Sequence, residues 1–95
     1  MTYGWDEKKN KANQKKHGLN FDDAEYVFDG RILAVEDRRE DYGEQRFNCL
    51  GLLEDRVVHI SYAERGDVTH IISMRKANKH EQKIYFERVW GKKIG

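Results

Sequence analysis

The sequence contains no proline and a single cysteine, Cys49, among its 95 residues. One cysteine excludes an intramolecular disulfide, and a reduced cytoplasmic protein is the simplest interpretation. No apolar run approaches the ~18 residues of a membrane-spanning helix, and the polar N-terminal segment does not resemble a signal peptide. Repeats, linkers and low-complexity stretches are also lacking. We therefore expect residues 1–95 to form one cytoplasmic domain with one modest core.

Signals for metal or cofactor chemistry are weak as well. No glycine-rich loop precedes a helix, so no nucleotide cofactor is indicated. Cys49 lies in an apolar segment with no histidine nearby in sequence, which favours a core position over a nucleophile. The histidines do not form ligand pairs at standard spacing; they are His17, His59, His70 and His80. We expect no metal and no cofactor.

Charge is abundant but unevenly distributed. The chain is 37% charged with a net charge of only +1, and its eleven aromatic residues are not typical of a disordered segment. Residues 1–20 carry a net +3, residues 21–72 a net −7 and residues 73–95 a net +5. If the two ends pack side by side, they form a basic face suited to phosphates, and the acidic remainder suits a basic partner. The alternative is two solvated, lysine-rich helices.

Capping residues predict three helices. Each is expected to start at an N-cap and to stop at a glycine, over Asp6 to Gly18, Asp22 to Gly30 and Asn78 to Gly91. In the second and third helices Glu25 and Glu81 complete a capping box. Ala12 is the one clear apolar residue expected to face inward from the first helix.

The segments between the second and third helices predict strands. Short hairpin connections imply antiparallel pairing of four strands, near residues 31–37, 45–53, 56–64 and 68–74. Tyr3 and Trp5 alternate with small or polar residues and are a candidate for a short leading strand. The order predicts an α+β fold, in which a small four-stranded antiparallel sheet carries its helices on one face.

Cations at strand ends suggest chemistry on a phosphate. In metal-free RNA cleavage the ribose 2′-hydroxyl is the nucleophile, so the protein supplies proton transfer and charge stabilisation. Arginine suits the second task because its planar fork binds two phosphate oxygens. Arg65 lies in the turn after the third strand, whereas Arg75 and Lys76 end the fourth. Because these positions are at opposite ends of a hairpin, the sequence predicts two cationic spots. The alternative for Arg75 and Lys76 is that they are ordinary solvated charges, and the residues alone favour neither interpretation.

Proton transfer has several candidates among His, Tyr, Glu and Lys. His17 ends the first helix, where the helix dipole favours the protonated imidazole, and its alternative role is that of a helix C-cap. Tyr62 and Tyr85 are either proton-transfer groups or core residues.

Seven short motifs occur in order along the chain: W-D-x-x-K-x-x-x-N-x-x-K-H-G at 5–18, F-x-x-A at 21–24, F-D at 28–29, E-D-R at 36–38, Y-G-E-x-R at 42–46, Y-x-x-R at 62–65 and I-I-S-x-R-K-A at 71–77. Glu81 and Tyr85 follow them. Together the motifs resemble the BrnT-type ribonuclease toxins of bacterial and archaeal type II toxin–antitoxin pairs.

The resemblance implies a RelE-like fold and a metal-independent endoribonuclease that arrests growth. It implies a BrnA-type antitoxin, with a ribbon-helix-helix part that binds operator DNA, and a toxin–antitoxin heterotetramer that represses its own operon. Site residues carried over by position are His17, Arg65, Arg75, Lys76, Tyr62 and Glu64. Lysines expected to hold the RNA backbone are Lys8, Lys15, Lys16 and Lys79. At His70 the family often has arginine, and this difference bears on RNA contact.

The alternative to a ribonuclease is a catalytically inactive protein-interaction module. The discriminating features are the basic ends of the chain and the set of Arg65, Arg75 and Lys76, because a pure interaction domain has no need of three cations at strand ends.

Overall fold

The structure is a computed structural model that describes residues 2–93. Its elements are β1 (Thr2–Trp5), α1 (Glu7–His17), a 3₁₀ turn (Phe21–Asp23), α2 (Ala24–Phe28), β2 (Ile32–Glu36), β3 (Arg46–Leu53), β4 (Arg56–Arg65), β5 (Val68–Lys76) and α3 (Lys79–Trp90). Within the described part of the chain, no helix is long and apolar enough to cross a membrane.

Residues 2–93 form a sheet of five strands in the order β1-β5-β4-β3-β2. Strands β2 to β5 pair antiparallel, as the hairpin connections predict. Strand β1 lies parallel to β5, with Thr2 opposite Val68 and Trp5 opposite Ile71. The prediction of a four-stranded antiparallel sheet is therefore wrong. It followed the hairpins, whereas a parallel neighbour is distant in sequence and leaves no turn signal.

Helices pack on both faces of this sheet. Side chains of a strand alternate between faces, and Cys49 joins a core with α2 and the 3₁₀ turn, whereas Leu50 and Leu52 join a second core with α3. Tyr85 of α3 is fully buried in this second core. The expectation of helices on one face is wrong, because β3 is apolar on both sides and each side needs a cover.

Two of the three predicted helix starts are confirmed. Asp6 caps α1, and Asn78 and Glu81 form a reciprocal capping box at the start of α3. The box predicted at Asp22 is wrong. Asn20 accepts the Asp22 N–H instead, at 3.0 Å, and so starts the 3₁₀ turn that precedes α2.

Helix α1 is anchored by buried asparagines, and Ala12, which was expected to face inward, is exposed. The Asn13 amide donates to the Met74 carbonyl at 2.8 Å and accepts the Met74 N–H at 3.1 Å. This side chain therefore satisfies backbone groups on the edge of β5 just beyond the end of β1. Such pairing matters because an unpaired buried backbone group is unfavourable.

Candidate functional site

Part of the sheet face on the α3 side is not covered by that helix. Cross-strand pairs form rows whose side chains leave the same face. The rows are Arg46–Ala63–His70, Asn48–Ser61–Ser73 and Leu50–His59–Arg75. Helix α3 packs over the apolar end of this surface, and the remaining polar side chains are half-buried. We call the surface formed by Arg46, Asn48, His59, Ser61, Ser73 and Arg75 the open face.

A β-bulge sets the direction of two of these side chains. The pairing of β4 with β5 shifts between Ser61 and Tyr62, which leaves Ile72 as an extra residue in β5. Without the bulge, strict alternation from the buried Ile71 would turn Ser73 and Arg75 towards the other face. The bulge therefore brings Arg75 onto the open face.

Arg75 is held there by a carboxylate from the start of α3. Its two terminal nitrogens donate to the Glu81 oxygens at 2.8 and 3.0 Å, and Glu81 also accepts the Asn78 N–H at 2.9 Å. The hydrogen bond from Arg75 lowers the pKa of Glu81 to about 2. The same contact raises the pKa of Arg75. With 37% of its side chain exposed, Arg75 is both oriented and accessible.

His59 lies beside this pair, directly opposite Arg75 on β4. Burial lowers the pKa of His59 and the nearby Arg75 lowers it further, whereas Glu81 acts in the opposite direction. Within residues 2–93, His59 Nδ1 is the one buried side-chain nitrogen or oxygen without a hydrogen-bond partner. His59 and Glu81 also line a cleft of about 260 Å³ whose other walls are largely apolar, from Leu33, Val35, Leu50 and Ile84.

The loop of residues 37–45 contains Arg38 and Arg39 and borders the open face at Arg46. The Arg46 guanidinium carbon lies 4.3 Å from the centre of the Tyr42 ring. The Tyr42 hydroxyl donates to Asp37 at 3.2 Å. Arg39 donates twice to Asp37, at 2.9 and 2.8 Å, and holds the pKa of that carboxyl far below its ordinary value. A cleft of about 200 Å³ separates this loop from Asn48. Tyrosine rings and guanidinium planes are groups that stack on single-stranded bases.

Arg65 lies at the other end of the β4–β5 hairpin. It donates to Glu44 at 2.7 and 3.1 Å, and Arg46 pairs with the same carboxylate at 3.2 Å. The hydrogen bond from Arg65 lowers the pKa of Glu44 to about 2. Arg65 is opposite Val68, which precedes Arg75 by seven positions in β5. At ~3.3 Å per residue the two arginines are roughly 20 Å apart and form separate cationic spots.

His17 and Lys76 are placed towards the Arg75 end of β5. Helix α1 advances in the direction of β5, because Asn13 binds Met74 three residues beyond the last β1–β5 pair. His17 is half-buried and comes one turn later, at the end of α1. Lys76 is exposed, but as the strand neighbour of Arg75 it leaves the opposite face of the sheet.

Tyr62 and Glu64 lie on the face opposite the open face. Tyr62 is 6% exposed, and its ring centre is 5.0 Å from that of Phe28 and 5.4 Å from that of Phe47. Burial raises the pKa of Tyr62 to about 12. Glu64 is half-buried and accepts the Thr69 hydroxyl at 3.3 Å.

The four lysines predicted to hold RNA are all exposed. Three lie on α1 and one begins α3; they are Lys8, Lys15, Lys16 and Lys79. The bond between Asn13 and Met74 joins the two basic ends of the chain. Positive charge therefore flanks β5.

Several residues of the open face were not predicted from the sequence as site residues. They are Arg46, Asn48, His59, Ser61 and Ser73. The Ser61 hydroxyl donates to Asn48 at 2.8 Å. The sequence feature that could have indicated them is the alternation of polar with apolar residues in β3 and β4, which is typical of a sheet with one solvated face. Residues 2–93 contain no cluster of three or more His, Cys, Asp or Glu side chains arranged to hold a metal ion.

Fold and site together define a small α+β protein whose mixed sheet exposes a polar face that carries Arg46 and Arg75. Residues 5–81 match the family described as the ribonuclease toxin, BrnT, of type II toxin–antitoxin systems. The chain therefore belongs to the BrnT family, which confirms the resemblance carried by the seven motifs, and a type II toxin has an antitoxin partner. No curated protein matches the chain significantly.

Proposed function

We propose that this protein is a RelE-type endoribonuclease that cleaves RNA at the open face without a metal ion. The observation that carries the proposal is the Arg75–Glu81 pair: an arginine fork held in a fixed direction, half-exposed, on a polar surface beside a histidine. Family membership supplies the substrate class. The substrate is made in the cytoplasm, where the toxin would act.

Each site residue has a proposed role in the reaction. Arg75 would bind the phosphate and stabilise the charge that develops in the transition state, which a preorganised donor does well. His17 would act as acid or base, and Lys76, which leaves the opposite face, would add positive charge at the end of β5. Arg65 and the exposed lysines Lys8, Lys15, Lys16 and Lys79 would hold the backbone. Tyr62 and Glu64 would support the site through the core face of β4.

The partner is proposed to be a BrnA-type antitoxin with a ribbon-helix-helix part. Family membership supports an antitoxin in general. We further propose that the antitoxin is of the BrnA type and that the two proteins form a heterotetramer. This complex would repress its own operon by binding operator DNA through the antitoxin. An antitoxin that covers the open face would neutralise the enzyme by excluding RNA.

One observation favours the alternative of an inactive interaction module. Both strand-end arginines already have carboxylate partners, Arg65 with Glu44 and Arg75 with Glu81. If those pairs persist when RNA is present, neither arginine is available to a phosphate.

The test is induction of the chain alone in a bacterium, scored for growth and bulk RNA integrity. The double variant Arg75→Ala, Lys76→Ala is compared with Lys83→Ala, which removes an exposed charge from α3. We expect growth arrest with RNA loss for the wild type and for Lys83→Ala, and normal growth for the double variant. Co-purification with the antitoxin checks that the double variant is folded. Normal growth with soluble wild-type protein would favour the interaction module.

A further inference from the structure

We propose that His59 is the base that takes the proton of the ribose 2′-hydroxyl, and that Glu81 moves from Arg75 to His59 when a phosphate of the RNA occupies Arg75. The inference rests on the proposed ribonuclease function and names the residue that moves the proton.

The geometry places the three groups within reach of one another. His59 and Arg75 are a direct cross-strand pair on the same face, so their Cβ atoms are about 5 Å apart. Glu81 contacts Arg75 at 2.8 Å and lines the same cleft as His59. The cleft opens beside Val35, which is 61% exposed, so a nucleotide has access to it.

His59 Nδ1 is an unusual atom in this setting. It is buried without a hydrogen-bond partner within residues 2–93, although buried polar groups are nearly always paired. A histidine acts as a strong base when a carboxylate accepts the proton of one ring nitrogen, because the other nitrogen is then free to take a proton. Glu81 is the carboxylate nearest to this role, but its two oxygens are engaged by Arg75.

An RNA phosphate would redistribute these contacts. A phosphate offers Arg75 the same bidentate geometry as a carboxylate. Once Arg75 turns to the phosphate, Glu81 is released and His59 loses the influence of a neighbouring cation. The charged groups that face His59 are Arg75 on β5, Glu81 and Arg88 on α3, and the more distant Arg39 of the loop. Of these, Arg75 and Glu81 change partner, and both changes favour the protonated imidazole.

The chemical step balances without a metal. His59 accepts the 2′-hydroxyl proton while the 2′ oxygen forms a bond to phosphorus. The bond from phosphorus to the 5′ oxygen of the next nucleotide breaks, and that oxygen takes a proton from His17, which is left as the acid once His59 is the base and regains its proton from solvent. The products are a 2′,3′-cyclic phosphate and a 5′-hydroxyl end, and His59 returns its proton to solvent.

The first test follows the imidazole resonances of His59 and His80 by NMR as pH changes, with and without a DNA oligonucleotide of mixed sequence. The oligonucleotide carries phosphates but has no 2′-hydroxyl to react. His80 is exposed on α3 and serves as the internal control. We expect a His59 pKa below 6.5 that rises with the oligonucleotide, while His80 does not change. In Glu81→Gln the rise should be smaller, because the phosphate on Arg75 still favours the protonated imidazole but no carboxylate turns to His59. A His59 pKa that stays constant, or rises equally in Glu81→Gln, would overturn the proposal.

The second test measures kcat/KM against pH for wild type, His59→Gln and His80→Gln. General-base catalysis predicts a loss of about 10²–10⁴-fold for His59→Gln, together with loss of the decline at acid pH. His80→Gln should behave as wild type. Cleavage by His59→Gln with an unchanged pH profile would overturn the role of His59 and leave the ribonuclease intact. An absence of cleavage by the wild type would overturn both.

Discussion

Arg75→Ala and Glu81→Gln break the same ion pair but should have different effects on catalysis. Both remove the bidentate contact with N–O distances of 2.8 and 3.0 Å. Only Arg75→Ala removes the cation that we assign to the phosphate. Comparison of the two variants therefore separates the structural role of Arg75 from its role in the reaction.

The structure gives the approximate loss of stability that Arg75→Ala and Glu81→Gln should share. The pKa of Glu81 is lowered from 4.5 to about 2. At ~1.4 kcal/mol per unit this corresponds to at most about 3.5 kcal/mol. Because 37% of the Arg75 side chain is exposed, solvent screening reduces the contribution to about 1–2 kcal/mol. For a protein of this size we expect both melting temperatures to fall by about 5–15 °C.

The effects on activity should diverge. Loss of one preorganised donor to the transition state lowers the rate by about 10²–10³-fold, which we expect for Arg75→Ala. Glu81→Gln keeps the arginine but weakens both its orientation and the support of His59, so its kcat/KM should fall less, by about tenfold. Single-turnover cleavage of a short RNA, well below both melting temperatures, provides the assay. Equal losses in the two variants would show that Arg75 acts through the ion pair alone.

Three further predictions concern stability and reactivity. The folded pKa of Glu81, about 2, lies below its ordinary 4.5, so the stabilisation by its ion pair is present above pH 4.5 and lost as pH falls towards 2. In urea unfolding, the stability difference between wild type and Glu81→Gln should shrink over that range, and a constant difference would refute this. Asn13→Ala leaves two Met74 backbone groups unpaired and should destabilise the fold by about 2–4 kcal/mol in thermal melts, whereas the exposed neighbour Gln14→Ala should have little effect. A similar loss of stability in Asn13→Ala and Gln14→Ala would contradict the anchoring role of Asn13. Cys49 is buried with its thiol pKa raised by burial to about 12, so it should react with a thiol reagent only on unfolding, and rapid reaction of the native protein would count against the core placement.

Local features of the fold were predictable from sequence because local contacts determine them. The Asp6 cap, the box of Asn78 with Glu81 and the antiparallel hairpins each depend on residues close in the chain. The parallel pairing of Thr2 with Val68 joins segments far apart in sequence, and no turn marks it. Helix α3 packs against only one of the two faces of β3. Leu50 and Cys49 are both apolar, so the pattern alone does not choose between the faces.

The candidate site was predictable in its residue types more than in its arrangement. The separation of Arg65 from Arg75 follows from hairpin geometry, which the sequence shows. The face from which Arg75 projects depends on the bulge at Ile72, and nothing in the local pattern marks that extra residue. The sequence pattern does not mark His59 as a site residue, because a single histidine in an apolar strand is usually structural. Its significance comes from the long-range contact between Arg75 and Glu81 beside it.

The most direct test of the central claim is incubation of the purified protein with a defined RNA in excess chelator, with analysis of the new ends. We predict cleavage without added metal, 2′,3′-cyclic phosphate and 5′-hydroxyl ends, and loss of the products in Arg75→Ala. Intact RNA, or cleavage that requires a divalent metal and leaves 5′-phosphate ends, would contradict metal-free catalysis at the open face.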